Sequence, residues 1–296
     1  MKCICGKSAI HYRDWEKKFY CGPCLSRHVE RTFKHTIRKS ELIKNSKKIA
    51  VAVSGGKDSN TLLYLMSKIK AVELIAISID EGIAGYRKQT LQSAKKLCNR
   101  LNIEHNIISF KKEFGFSMDS IDKNYCSYCG VLRRHLLNKT AHKFGADKIA
   151  VGHNMDDEAQ SILLNFIRGD MNRFQRLGVS PHVISNKKFV PRIKPLRNIR
   201  EKEIVLYAML NRIPFAHASC PYSAHNQRRS IMNFIDKIES EYPDAVIQIV
   251  RFYDNLRPML NKSASKVKIN FCQCGEPCSG KKCMACRMIE DIRNER

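Results

Sequence analysis

At 296 residues the chain is long enough for one large core with small satellites. Its 53 Lys and Arg outnumber 28 Asp and Glu, a formal charge of +25 that is costly in self-repulsion and points to a polyanionic partner, nucleic acid first. No apolar run approaches the ~20 residues of a membrane span, and the Met-Lys-Cys-Ile-Cys start has no signal-peptide pattern. The expectation is a cytoplasmic protein, without a membrane partner, whose thirteen cysteines bind metal rather than form disulfides.

Taken in chain order, Cys3, Cys5, Cys21 and Cys24 form two short chelating turns, expected to close on one tetrahedral zinc ion. The tight Cys-x-Cys spacing leaves His11 or His28 as substitutes for one ligand. KKIAVAV (47–53) is a β-branched run and predicts a strand; DSNTLLYLMSKI then has apolar residues at helical spacing. LIAISID (74–80) predicts a second strand, residues 87–101 a helix, and IEHNIISF a third strand. VLRRHLLNKTAHKF reads as a helix with a basic face, DKIAVGH as a fourth strand, DDEAQSILLNFIRG as a helix, and IPFAHAS (213–219) as a fifth strand. Basic residues also cluster from Arg192 to Lys202 and at 227–229. Residues 225–265 read as helical and basic. Cys272, Cys274, Cys283 and Cys286 repeat the zinc pattern near the other end, with Cys278 to spare.

The alternation of strand and helix predicts an α/β fold, a doubly wound, Rossmann-like parallel sheet flanked by two zinc modules. The implied map is 1–30 (zinc module), 31–224 (catalytic domain), 225–268 (basic helices) and 269–296 (zinc module). In such folds ligands sit beyond the carboxyl ends of the strands.

VAVSGGKDSN joins the first strand to the first helix there. Gly55 and Gly56 permit a tight turn with exposed amides, the helix N-terminus adds partial positive charge, and Lys57 a full one. With Ser54, Asp58 and Ser59 this makes a pyrophosphate cradle, although not the Walker spacing. Asp58 and Asp157 are candidate magnesium contacts. Asp80, ending the second strand, stands where α/β nucleotide sites read the adenosine end. His153 and Asn154 are expected to shape a loop. Arg133 and Arg134 either steady phosphates or form a solvated face, and Cys98 is expected to be a buried small hydrophobe. Cys126 and Cys129 form a lone Cys-x2-Cys pair, open to three readings: a structural zinc half-site, a redox dithiol, or part of a cluster completed from afar.

SGGKDS resembles the pyrophosphate loop of the ATP pyrophosphatase (PP-loop) family, whose members adenylate an oxygen. VGHNMDDEAQSILLNFIRGD (151–170), with Gly152, is similar to its Gly-His-Asn-x-Asp-Asp block. Within that family SIDEGIAGYR (78–87), CSYCGVLRR (126–134), NFIRGD (165–170), IKPLRNIREKEIVLYA (193–208) and SCPYS (219–223) resemble the tRNA 2-thiolation proteins, most of all the wobble-uridine branch. The Cys-x-Cys turns depart from that family's usual Cys-x2-Cys. The resemblance implies ATP, Mg2+, two Zn2+ and a [4Fe-4S] cluster held by Cys126, Cys129 and Cys220, with one iron left for sulfide or substrate. A strand ending near 219 would put Cys220 at the same sheet edge. The implied reaction adenylates O2 of a tRNA uridine, U34 in this branch, and replaces it with sulfur. Relatives act on U54 or C32, and a cysteine persulfide is the rival sulfur carrier. The donor would be sulfide or a ubiquitin-like thiocarboxylate protein, and members of the family form homodimers. Outside this class, a non-catalytic iron–sulfur RNA-binding protein would leave SGGKDS and Asp156–Asp157 without a task, and an ammonia-using amide synthase would leave the charge unexplained.

Overall fold

A computed structural model describes residues 1–121, 124–179, 189–225, 227–262 and 270–294. A hairpin of β1 (His11–Arg13) and β2 (Lys18–Tyr20) leads into α1 (Gly22–Lys39). Then follow β3 (Lys48–Ala52), α2 (Lys57–Ser67), β4 (Glu73–Asp80), α3 (Arg87–Leu101) and β5 (His105–Ser109). After a short α4 (Phe110–Phe114) come α5 (Tyr125–Lys143), β6 (Lys148–Ala150), α6 (Met155–Ile167) and a short α7 (Met171–Gln175). The chain continues through β7 (Arg192–Ile193), α8 (Glu201–Leu210), α9 (Gln227–Glu241) and α10 (Ala245–Lys262). It ends in a ribbon of β8 (Asn270–Phe271) and β9 (Pro277–Cys278), then α11 (Met284–Asn294).

Five strands form one parallel sheet in the order β5-β4-β3-β6-β7. Successive side chains point to opposite faces, so both faces are apolar and both are covered. Ile49 and Val51 share one core with Leu62 and Leu63 of α2, Phe33 of α1 and Ile204 of α8. Ala50, Ile75 and Ile77 share another with Phe110, Leu132 and Leu136. The order reverses direction at β3, so a crevice opens between the ends of β3 and β6, where such folds bind ligands.

The fifth strand is a correction to the sequence reading. It is Arg192–Ile193, which pairs with β6, while residues 213–219 form no strand. Pro214 has no amide to give a ladder, and the Ala216 N–H donates to the Gly55 carbonyl (3.0 Å), so this segment braces the glycine turn instead. The first four-cysteine segment is not set apart from the core at residue 30: α1 runs through that position, and its Leu25, Val29, Phe33 and Ile37 belong to the sheet's own core. Within the 225–268 segment, α9 and α10 bury Ile231, Ile235, Val246 and Tyr253 against Ala159 and Ile162 of α6. Residues 226 and 263–269 lie outside the described residues.

The 192–202 charges, expected to face a polyanion, are largely turned inward. Buried Glu158 accepts from Lys194 Nζ (2.8 Å), Arg197 Nε (3.1 Å) and the Gly178 N–H (2.7 Å). Arg197 also grips Asp254 (2.8 and 2.9 Å), and Arg200 bridges Asp156 and Glu239 (both 2.8 Å). Burial opposes Glu158's charge, but Lys194 and Arg197 outweigh it and hold the carboxyl down to about 2, from an ordinary 4.5. A folded-state value below the unfolded one adds stability at pH above 4.5, and this is lost as pH falls towards 2. Glu158→Gln is therefore expected to cost roughly 3–5 kcal/mol in urea unfolding at pH 7, because buried Lys194 loses its carboxylate and Arg197 is left with Asp254 alone. The gap to wild type should narrow steadily below pH 4.5; a gap independent of pH would refute this account.

Candidate active site

The glycine turn is built by steric exclusion. Gly55 has φ +88°, and a Cβ there would lie 1.8 Å from the Thr90 carbonyl oxygen, so only glycine fits. Ser59 Oγ accepts from the amides of Ser54 (3.0 Å) and Gly55 (3.2 Å), curling the loop over the start of α2. No side chain caps α2, whose N-cap is Gly56, so its first-turn amides face outward for an anion. Gly152 presses on this turn from the β6 side: a Cβ there would come within 3.0 Å of the Ser59 amide. The geometry gives Gly152 a spacing role.

Lys57 Nζ sits 2.9 Å from Asp58 Oδ2 and 2.6 Å from Glu201 Oε1. Burial disfavours its charge, yet Asp58 and Glu201 prevail and hold its pKa above the ordinary lysine value. Asn154 donates to Asp58 Oδ1 (3.0 Å) and caps α6 in a reciprocal box with Asp157. Of the two aspartates, Asp156 is spent on Arg200 and the Glu201 amide (2.7 Å), whereas Asp157 faces the crevice. Burial raises the Asp157 carboxyl's pKa against the pull of Arg228, so a divalent cation there would favour its charged form.

The crevice is a cavity of about 420 Å³, within the range of small-ligand sites. Ser54, Gly56, Asp58 and Ser59 form one wall, Gly152, His153 and Asp157 another, and Arg133, Arg134 and Arg192 a third. Asp80 does not line it; its carboxylate accepts from the Gly82 amide (3.0 Å) and shapes the turn. The neighbouring Glu81 takes the cavity position, paired with Arg87 Nε (2.7 Å) and 3.7 Å from Arg133. Burial and the cations Lys194 and Arg228 hold His153 neutral, with a pKa well below the ordinary histidine value. Cys98 is fully buried.

The lone cysteine pair does not line this cavity, but the helix that carries it does, through Gly130, Arg133 and Arg134. Cys126 and Cys129, one turn apart, open α5, which carries Arg133 on its next turns. The segment after Cys220 folds as a short 3-10 turn (Pro221–His225) against that helix start. Tyr125 stacks on Tyr222 (centroids 4.1 Å, 14° between planes), Tyr222 Oη donates to Asp119 (2.8 Å), and the Cys126 thiol reaches the Tyr222 carbonyl (3.7 Å). Burial pushes the Cys129 thiol up to about 11; Arg133 opposes this, and Glu81, Cys220 and Cys126 add to it. Burial likewise raises the pKa of Cys220, to which Cys126 and Glu81 contribute. Burial disfavours the thiolate at both Cys129 and Cys220, and a bound metal cation would offset that cost.

Sulfur spacing separates this trio from the terminal cysteines. A tetrahedral zinc with ~2.3 Å bonds holds its sulfurs about 3.8 Å apart. Among the described residues, two cysteine groups have all ligand atoms within 4.8 Å: Cys3, Cys5, Cys21, Cys24 and Cys272, Cys274, Cys283, Cys286. Cys5 is 3.6 Å from Cys3 and 3.5 Å from Cys21, and Cys274 is 3.6 Å from Cys283. Cys126, Cys129 and Cys220 are not drawn in to that mutual distance. His11, His28 and Cys278 stay out of both four-cysteine groups, with contacts to Glu203 (3.9 Å), Thr32 (3.3 Å) and the Gly280 carbonyl (3.0 Å).

A family model of the PP-loop domain matches residues 25–238. The chain is 37% identical to a Methanocaldococcus jannaschii protein named "Probable sulfurtransferase", over 99% of this chain and 88% of that one. It is 32% identical to the "tRNA 2-thiolation protein NcsA" of Haloferax volcanii, over 99% of each. A solved structure, "U34-tRNA thiolase NcsA from Methanococcus maripaludis with its [4Fe-4S] cluster", superposes with a TM-score of 0.85 at 34% identity, covering 98% of this chain and 96% of that one. The chain belongs to the PP-loop tRNA 2-thiolation family.

Proposed function

We propose that the protein is a cytoplasmic ATP-dependent tRNA 2-thiouridine synthetase acting on wobble uridine 34. One observation carries this reading: the glycine turn and the helix that opens with Cys126 and Cys129 share one cavity, which that helix lines through Gly130, Arg133 and Arg134, with Glu81 beside Arg133. A carbonyl is a poor electrophile because oxide leaves badly. The base O2 attacks the α-phosphorus of ATP, the bond to pyrophosphate breaks, and the α2 amides with Lys57 stabilise the departing charge. Phosphate oxygens would displace Asp58 and Glu201 from Lys57, freeing Asp58 to join Asp157 in holding Mg2+. A sulfur nucleophile then adds at C2, the C2–O2 bond breaks, and AMP leaves with that oxygen. Cys126, Cys129 and Cys220 would hold the [4Fe-4S] cluster, which when bound supplies an iron free of protein ligands to seat sulfide. The terminal cysteine groups would hold structural zinc.

The target base must leave its stack to reach the cavity. Sulfide or a ubiquitin-like thiocarboxylate protein would serve equally as donor, and dimerisation would leave this cavity complete within one chain. Nucleoside mass spectrometry of tRNA from a deletion strain, mapped by position, tests the assignment. Loss of 2-thiouridine at position 34 alone is expected; loss at U54, or of 2-thiocytidine at C32, would move the target.

A further inference from the structure

The structure points to a second contact with the substrate, remote from the chemistry, which rests on the thiolation reading. We propose that the outer face of α1 is a track for the phosphate backbone of the tRNA. Arg27, Arg31, Lys34 and Arg38 recur at four-, three- and four-residue steps, so they line one face of the helix over about 16 Å. All four are exposed, while Leu25, Val29, Phe33 and Ile37 bury the opposite face in the sheet's core.

What separates this stripe from the basic 192–202 stretch is that its charge is unspent. Lys194, Arg197 and Arg200 are buried against Glu158, Asp254, Asp156 and Glu239. The single acid on α1, Glu30, is taken from behind by Lys68 Nζ (2.6 Å) and Tyr207 Oη (2.9 Å). Among the described residues no carboxylate stands within 4 Å of the four cations. Exposed like charges at helical spacing repel one another, a cost a polyanion reverses. Duplex RNA is gripped mainly through its backbone, which such a row suits better than it suits a base edge.

The stripe is also rigidly referenced to the site. Its first turn contains Cys24 of the four-cysteine group, and Arg27 Nη2 donates to that sulfur (3.1 Å). Further along, α1 packs on α8, whose first residue, Glu201, touches Lys57. A stem held on α1 therefore has a fixed offset from the adenylating loop.

The test is tRNA binding by the full-length protein across a salt series. Arg27 is left intact because of its sulfur contact; Arg31→Gln, Lys34→Gln and Arg38→Gln are combined. The triple variant is expected to bind tRNA about tenfold or more weakly at low salt, with the slope of log K against log salt reduced by roughly 2–3. ATP affinity, zinc content and melting temperature should stay at wild-type values, since all three side chains are exposed. Lys111→Gln, Lys112→Gln and Lys143→Gln, on the opposite face of the sheet, remove equal charge and should leave the slope unchanged. Equal weakening by both triples, or none by the first, would overturn the track. Wild-type protein indifferent to tRNA would instead overturn the thiolation reading, and the track with it.

Discussion

Lys57→Ala should reduce thiolation about 10²–10³-fold or more, the usual cost of removing one preorganised group from a developing negative charge. The side chain opens α2 at the end of the glycine turn, and its neighbours Asp58 and Glu201 are carboxylates that cannot replace it. Binding of tRNA should be untouched, because Lys57 lies on the turn itself and not on an outer basic face. Radiolabelled ATP and a tRNA transcript separate the steps, since release of pyrophosphate should fail in parallel with sulfur incorporation. Asp58→Ala should fail at the same step through lost Mg2+. Wild-type pyrophosphate release by either variant would remove the adenylation mechanism. The pH dependence has a definite sign as well: the lysine's raised pKa keeps its charge throughout the physiological range, so it adds no alkaline limb there.

Cys220→Ala is the sharper test of the sulfur chemistry. Nothing next to it in the sequence marks it as a ligand, and a zinc reading of Cys126 and Cys129 gives it no part. Anaerobically purified protein should carry about four irons per chain, as three thiolates around one cubane require. The variant should lose that iron and thiolation together while binding ATP normally, because the phosphate groups lie on a different loop. Air should inactivate the wild type, since an iron without a protein ligand is the one most open to oxygen. Cysteine-persulfide transfer has the opposite signature: turnover without iron, and one of the three thiols blocked after a single round. Full turnover by aerobic, iron-free protein given sulfide and ATP would sink the cluster.

Much of the fold was legible because it depends on local periodicity. The 47–53 and 74–80 runs and the 87–101 helix lie within two residues of β3, β4 and α3. The fifth strand escaped because it is two residues long, inside a Pro- and Arg-rich stretch with none of a strand's composition. Its pairing exists only because β6 offers an edge. IPFAHAS has better strand residues, but its backbone is claimed by the Gly55 turn. Local propensity could not see either competitor.

The site divides the same way. A phosphate turn is a short-range object, a strand, two glycines and a helix start, so Ser54 to Ser59 could be read from consecutive residues. The eight terminal cysteines were also visible, because four thiolates in a short span have few other uses. Glu81 against Asp80 was a choice of one residue that only the strand's end could make: the turn at Gly82 consumes Asp80 and turns Glu81 inward. Glu201 and Glu158 gave no local signal, since each acts through partners at least 20 residues away. Charge was the least legible feature of all. By itself the sequence determined the nucleotide-binding class, the two four-cysteine groups and the excess of positive charge, all properties of residue type and short spacing. Only the tertiary structure decided which cations are spent on buried carboxylates and which, like those on the outer face of α1, stay exposed, because a salt bridge depends on distances that the order of residues does not contain.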